Sequence, residues 1–482
     1  MTRSHEVVLG IDSSTQSTKV LAIDLESGET ISEARAPHTG ADTQDPGDWW
    51  SALVTATHVA VNDNLTVRGI SVAGQQHGLV TLDANDEPVQ PAPLWNNVAS
   101  ARDAERLNAE ADFAAEVGSR LVASITITKV AHLARTSPNA LSRVHSICLP
   151  HDYLNLALTG SLTTDRSEAS GSGWWSTISG TDRRDLLALA AGETFANQVR
   201  LPTVLSPGEI AGALSRAAAK ALDLPVGIPV GPGAGDNAAA AIGIGASQSE
   251  FCISLGTSGV AYAVSDRPTQ DPTGEVAGFA DATGFYLPLT CMLNCTRVVG
   301  TIADMFGLSI VDALDRVRDI APGADGLLLM PYLSGERTPN LPYANGMTRG
   351  LRTANLRPEL WMRAAVDGVA AGLAYCQEAL ARQDVRRPGV TLVGGGSRHP
   401  TWQQAVADAT GLPVQVRGGG EHVARGAAIQ IAAILREEPV AQLADSWRPD
   451  IIAQAEPRSE ARDAFRLPER QELIEAMKAT AS

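Results

Sequence analysis

The sequence predicts an α/β protein built from two domains of similar design, and three observations carry that expectation. The chain of 482 residues exceeds what one hydrophobic core usually supports, so two or three domains are expected. Strand-like and helix-like segments alternate along it instead of segregating. Two stretches about half a chain apart, VVLGIDSSTQSTKVLAID (7–24) and EFCISLGTSGVAYAVSD (250–266), follow one pattern: apolar strand, turn rich in Gly, Ser and Thr, second apolar strand. Ile11 then stands over Ile253 and Thr15 over Thr257. Each half opens on a hairpin, although hairpins with hydroxyl-rich turns look alike even without duplication.

The elements follow in order. DPGDWWSALVTATHVAV (45–61) spaces its apolar residues three and four apart and reads as a helix, with Asp48 as its N-cap. VRGISVAGQQHGLVTLD (67–83) reads as strand, polar loop, strand. The Pro/Gly-rich LPVGIPVGPGAG (224–235) marks the boundary between halves, and a helix is expected to begin at Ala238–Ala241. Beyond it come a helix over 358–383, a strand in GVTLVGG (389–395) and a helix over 401–411. The expected domains are 1–240 and 241–436, with 437–482 as a charged, peripheral helical extension.

Charge narrows the function. The net charge of −16, with no Lys/Arg block, argues against nucleic-acid or anionic-membrane surfaces and favours a small-molecule substrate. The five cysteines, Cys148, Cys252, Cys291, Cys295 and Cys376, form no C-x-x-C pair, so neither a disulfide framework nor a zinc site is suggested. The early apolar stretch VVLGI is cut short by Asp12, and no run of roughly 18 apolar residues occurs. Neither export by a signal peptide nor a membrane span is expected, and the cytoplasm is the natural compartment.

Three loops are chemically suggestive. The turns DSSTQSTK (12–19) and SLGTSG (254–259) supply the hydroxyls and backbone N–H groups that wrap polyphosphate oxygens, although Ser and Thr also serve turns for their own sake. Asp12 at a strand end suits the hydration shell of Mg²⁺. Lys19 offers charge to a phosphate or merely a solvated surface. The triple glycine of GGGSRHP (394–400) lets a flat ring lie against bare backbone, or simply connects strand to helix. With no Gly-Lys dipeptide there is no Walker A loop.

Two further stretches bear on a polar substrate. In GQQHG (74–78), Gln75, Gln76 and His77 end an apolar strand, where open α/β sheets place ligand contacts; a structural histidine is the alternative. In GPGAGDNAAAAIG (231–243), Asp236 stands between glycines and alanines, either as a helix cap or as a working carboxylate. TDRSEASGSGWW (164–175) and PLWNN (93–97) add tryptophans and amides that can line a sugar site or fill the core.

Taken in order, GIDSSTQSTKV, DPGDWW, GISVAGQQHG, LWNN, DYLNLALTG, TDRSEASGSG, GAGDNAAAAIG, SLGTSG, MPYLSGERTP and GGGSRHPTWQQAVADATGLPV resemble the FGGY family of carbohydrate kinases, and within it the xylulose kinases. The resemblance runs from the N-terminus to about residue 435. It implies two actin-like, ribonuclease-H-like domains with a ligand cleft between them. By similarity Asp236 is the general base, Asn237, Gln76 and His77 bind the ketopentose, and Asp12 organises Mg²⁺. Thr15, Ser17, Lys19, Gly256, Thr257 and Ser258 would contact ATP phosphates; Gly395, Gly396 and Ser397 would flank adenosine. Ser14 stands where many relatives have Gly, and Gln76 where the subfamily commonly has Met. Arg120 in VGSR is a looser sugar-contact candidate.

The implied reaction transfers the ATP γ-phosphate to the 5-hydroxyl of D-xylulose, with ribulose or xylitol as alternative acceptors. A non-catalytic actin-like ATPase or a sugar-binding regulator is the reading from another class. Sugar and ATP are the expected partners, with no nucleic acid or membrane and a homodimer as the oligomeric option.

Overall fold

The computed structural model of the protein describes residues 5–248 and 250–481. Its first sheet contains β1 (His5–Ser13), β2 (Ser17–Asp24), β3 (Thr30–Pro37), β4 (Leu65–Gly74), β5 (Gly212–Ala213), β6 (Pro229–Val230) and β7 (Ala234–Gly235). Its second contains β8 (Phe251–Leu255), β9 (Gly259–Tyr262), β10 (Ala277–Ala280), β11 (Tyr286–Met292), β12 (Val390–Val393), β13 (Val414–Arg417) and β14 (Ile451–Ala455). The helices that matter for the site are α1 (Pro46–Ala60), α2 (Pro150–Thr159), α3 (Asp236–Gly243), α4 (Pro358–Arg382), α5 (Pro400–Thr410) and α6 (His422–Leu435).

Both sheets use one plan. In the first, β1 pairs antiparallel with β2 and β2 with β3, while β4 lies parallel on the other side of β1 and is followed by parallel β6 and β7. In the second, β8, β9 and β11 form the antiparallel run and β12 then β13 lie parallel to β8. The two predicted hairpins are therefore the matching first and second strands of two like sheets, which is the internal repeat seen in the sequence. The parallel strands explain the nearly unbroken apolar runs, since β1 is buried from Val7 to Ser13 and covered on both faces.

Helix α6 follows β13 in sequence yet packs on β1 and β4 of the first sheet and along α3. Small residues permit this. A Cβ at Gly426 would lie 1.8 Å from the Ala239 carbonyl oxygen, one at Gly243 1.9 Å from that of His422, and one at Gly10 1.9 Å from that of Ala424. The alanine run after Asp236 thus forms one side of a backbone-to-backbone helix contact. Gly426→Ala forces a methyl into that contact, and overpacking of this kind costs about 1–3 kcal/mol. Its melting temperature, followed by circular dichroism, should fall by several degrees. Gly300→Ala, in a helix where a new Cβ would meet nothing within 4 Å, should leave it unchanged.

Two sequence expectations change. The N-cap of α1 is Asp45, whose carboxylate accepts from Gly47 N at 2.9 Å, while Asp48 lies in the first turn. Pro46 at N1 sets the start, because proline there needs no hydrogen bond and places the cap one residue before itself. The tail is also less peripheral than its charge suggested. Helix Val440–Ser446 and Trp447 bury apolar surface against the first half, with the Trp447 ring lying over Gly28. Beyond them β14 completes the edge of the second sheet. This strand, IIAQA, carries no charge, so the charged composition of the tail as a whole hid it. All five cysteines are free and buried, and among the described residues no helix is long and apolar enough to cross a membrane.

Candidate active site

The candidate site gathers where the central strands of both sheets end, the usual ligand position in open α/β sheets. In the first half, β7 runs parallel to the end of β4, setting Ala234 opposite Ala73 and Gly235 opposite Gly74. The glycines before Asp236 make that approach. Gly233 has φ +85° and a Cβ there would lie 2.1 Å from His151 Nε2; at Gly235 it would lie 2.5 Å from Gln76 Nε2. Gly235 is the N-cap of α3, so the helix starts at Asp236 and not at Ala238. Asp236 Oδ1 accepts from both the backbone and the side-chain nitrogen of Asn237, each at 2.7 Å. Burial pushes its carboxyl up to about 6, the Asn237 bonds opposing. That is a carboxylate poised to take a proton near neutral pH.

Asp12 ends β1 directly opposite Lys19 on β2. It is buried, its Oδ1 has no hydrogen-bond partner, and its Oδ2 lies 3.6 Å from Lys19 Nζ. Burial pushes it up to about 7; Lys19 opposes this, and the charges of Asp236 and Glu421 add to it. Lys19 Nζ also lies 2.5 Å from Glu421 Oε2, at the head of α6. The first turn therefore faces the Asp236 loop on one side and α6 on the other. Most of its hydroxyls are engaged within the protein, whereas buried Ser13 Oγ has no hydrogen-bond partner. Thr15 Oγ1 donates to Gln75 Oε1 at 3.1 Å and accepts from Trp95 Nε1 at 2.9 Å, while buried Ser17 Oγ accepts from Arg35 Nε at 2.9 Å. Its backbone N–H groups, the Ser17 O–H and Lys19 remain as donors of the kind that suit phosphate oxygens.

The second turn and the triple-glycine loop come together. Gly394 has φ +84°, and a Cβ there would sit 2.9 Å from Leu255 O; at Gly396 it would sit 3.1 Å from Leu255 Cβ. Gly395, Gly396 and Ser397 thus lie beside Gly256, Thr257 and Ser258, at the ends of the neighbouring parallel strands β12 and β8. Thr257 is exposed and Gly256 half-buried, whereas Ser397 is buried and donates to Gly394 O at 2.7 Å, closing the turn.

Gln76 and His77 are both buried, at 7% exposure, in the seam between the halves. The His77 ring lies 5.4 Å from the Phe279 ring of β10. His77 has φ +68°, and its Nδ1 lies 3.0 Å from Gly171 O. Burial and the charges of Arg337 and Lys129 push its imidazole down to about 3. A neutral ring whose Nδ1–H donates to a carbonyl leaves Nε2 as an acceptor only. Gln76 Nε2 donates to Ser167 O at 3.2 Å, and Ser167 Oγ accepts from Gly235 N at 2.9 Å. The short helix Arg166–Ser170, capped by Asp165, so ties the Asp236 loop to the GQQHG cluster. Its Ser170 Oγ accepts from Ala280 N of the second sheet at 3.1 Å.

Other candidates fall elsewhere. Trp174 and Trp175 are core residues, and Trp95 belongs to the first turn. Arg120 is exposed with its stem against Gly274. Glu421, Ser167, Lys129, Phe279 and Arg337 were not singled out by sequence. For Glu421, a carboxylate heading a helix just after a glycine run was the one available signal.

Residues 7–243 match the N-terminal domain of the FGGY family of carbohydrate kinases, and residues 251–434 match its C-terminal domain. The chain belongs to the FGGY family of carbohydrate kinases. It is an ATP-dependent sugar kinase with the two-domain actin-like fold. Xylulose kinase of Streptomyces coelicolor is 44% identical over 451 residues, covering 92% of this chain and 90% of the relative. Xylulose kinase of Escherichia coli K12 is 33% identical over 431 residues, covering 86% and 87%. The crystal structure of xylulose kinase from Bifidobacterium adolescentis superposes with a TM-score of 0.85 at 34% identity, covering 96% of this chain and 99% of that one.

Proposed function

We propose that this FGGY kinase transfers the γ-phosphate of ATP to the 5-hydroxyl of D-xylulose, giving D-xylulose 5-phosphate and ADP. The observation that carries the reading is the meeting of Asp236 and Asp12: a carboxylate raised to about 6 at the head of α3, within electrostatic reach of a second at the phosphate turn. Asp236 takes the proton of the attacking hydroxyl, and Asn237 holds that carboxylate at Oδ1. Gln76 and His77 hold the sugar, His77 Nε2 accepting from a hydroxyl. Lys19 and the backbone of residues 256–258 face the phosphates, and Gly395 and Gly396 leave room for the adenosine.

The donor set fits Mg²⁺. The orphaned, buried Asp12 Oδ1 is one hard oxygen, and this ion takes one or two carboxylates with water and substrate phosphates supplying the rest. When bound with ATP it neutralises charge developing on the phosphoryl oxygens. Alignment and charge neutralisation are most of what phosphoryl transfer asks of a protein, so a single base suffices.

A coupled ADP-release assay across pentuloses, pentitols and hexoses tests the substrate. D-xylulose should give the highest kcat/KM; a higher value for ribulose, xylitol or a hexose overturns the assignment. The paired turns also predict closure. Sugar together with a non-hydrolysable ATP analogue should reduce the radius of gyration in small-angle scattering, and each ligand should tighten the other by linkage. An unchanged radius at saturation counts against a clamp formed by the two halves.

A further inference from the structure

We infer that the protein carries a second ligand site, for a small organic anion of the phosphate-monoester class, in the cavity between α4 and the C-terminal helix Leu467–Ala481, where the buried guanidinium of Arg470 has no carboxylate partner. The cavity measures about 730 Å³ and shares no residue with the candidate active site.

Arg470 is 6% exposed. Its guanidinium donates to Phe465 O at 2.9 Å and to Leu329 O at 2.6 Å, both neutral acceptors. The neighbouring carboxylates are already taken: Glu469 pairs with Arg349 and Arg466, and Asp367 with Arg363 and the Gly323 N–H. Burial lowers this guanidinium only to about 10, so it stays charged. A buried cation held only by carbonyls and the Met330 thioether is poorly compensated, and an oxyanion in the cavity is its natural complement.

Two more guanidiniums line the same space. Arg382 stacks over the Tyr375 ring at 5.1 Å while bonding Glu275 at 2.8 Å, and Arg462 lies 3.8 Å from Glu378. Against these three cations the lining sets two carboxylates, Glu378 and Asp463, so the wall has a net positive charge. Glu275 stands behind it, occupied by Arg382, Lys478 and the Tyr375 hydroxyl. Forked guanidinium donors suit phosphate oxygens. The rest of the lining, including Pro331, Tyr332, Ala371 and Ile474, is largely apolar and suits an organic group attached to that phosphate.

Isothermal titration of the full chain with phenyl phosphate, inorganic phosphate and neutral D-xylulose as probes tests the site. Phenyl phosphate should bind the wild type more tightly than inorganic phosphate does. Arg470→Gln should weaken it at least ~10-fold, and so should Arg382→Ala/Arg462→Ala, which changes only half-exposed side chains and guards against a misfolded Arg470 variant. KM for ATP and for the sugar should not change. No binding of phenyl phosphate at millimolar concentration, or equal binding by both variants, overturns the proposal; in the second case the anion occupies the nucleotide site.

Discussion

Asp236→Ala should lose at least ~10²-fold in kcat while remaining folded, because a general base contributes about that much or more. The structure separates this outcome from the capping alternative. A lost N-cap costs roughly 1 kcal/mol of stability, but the cap of α3 is Gly235 and Asp236 is an acid raised to about 6 by burial. A carboxyl raised above its unfolded value costs stability as pH climbs from the unfolded value through about 6, and that cost is fully present at pH 8. Removing it should therefore leave the melting temperature at pH 8 equal or higher. The same protonation sets the pH profile. If Asp12 holds the divalent cation as proposed, that cation favours its ionised form, so with ATP and cation saturating activity should fall as pH drops through about 6 with Asp236. Asp236→Asn should abolish that limb together with the rate. A variant with near-normal turnover, or one that melts several degrees lower, returns Asp236 to a structural role.

How far the sequence could be read follows from how local each feature is. The two hairpins, the helices Pro358–Arg382 and Pro400–Thr410, and the loops ending β1, β4, β8 and β12 were all legible, because each is specified by a few adjacent residues. The placement of α6 on the first sheet was not. Its signal is a set of absent side chains, Gly10, Gly243 and Gly426, whose partners lie far away in the chain. The candidate site divides in the same way. Asp12, Asp236 and the glycine loops announce themselves by neighbours, whereas Ser167, Glu421 and Arg337 are ordinary residues until folding sets them against Gly235, Lys19 and His77. Thr15 and Ser17 show how neighbours stay hidden. Their hydroxyls, which suit a phosphate by type, also meet Trp95, Gln75 and Arg35, partners that no local pattern reveals.

His77→Ala should raise KM for the sugar or lower kcat, cutting efficiency roughly tenfold to over a hundredfold, with KM for ATP nearly unchanged. The magnitude is that of stranding one buried hydroxyl, about 1–3 kcal/mol. Geometry leaves the ring's Nε2 to read the sugar and also defines the competing role. Nδ1 is committed to Gly171 O, the ring edge faces Phe279, and a Cβ at Gly171 would lie 2.7 Å from the ring, so part of His77 is certainly structural. His77→Asn separates the two roles, because it keeps an amide donor for the Gly171 carbonyl on a residue type that tolerates positive φ but withdraws the Nε2 acceptor. If His77 reads the sugar, the asparagine variant recovers stability without recovering sugar kinetics. Because the imidazole is already neutral well above pH 3, sugar KM should show no dependence on its titration between pH 6 and 8. An asparagine variant that restores both melting temperature and sugar efficiency would make His77 a structural histidine, and the weight of sugar recognition would pass to Gln76 and Asn237.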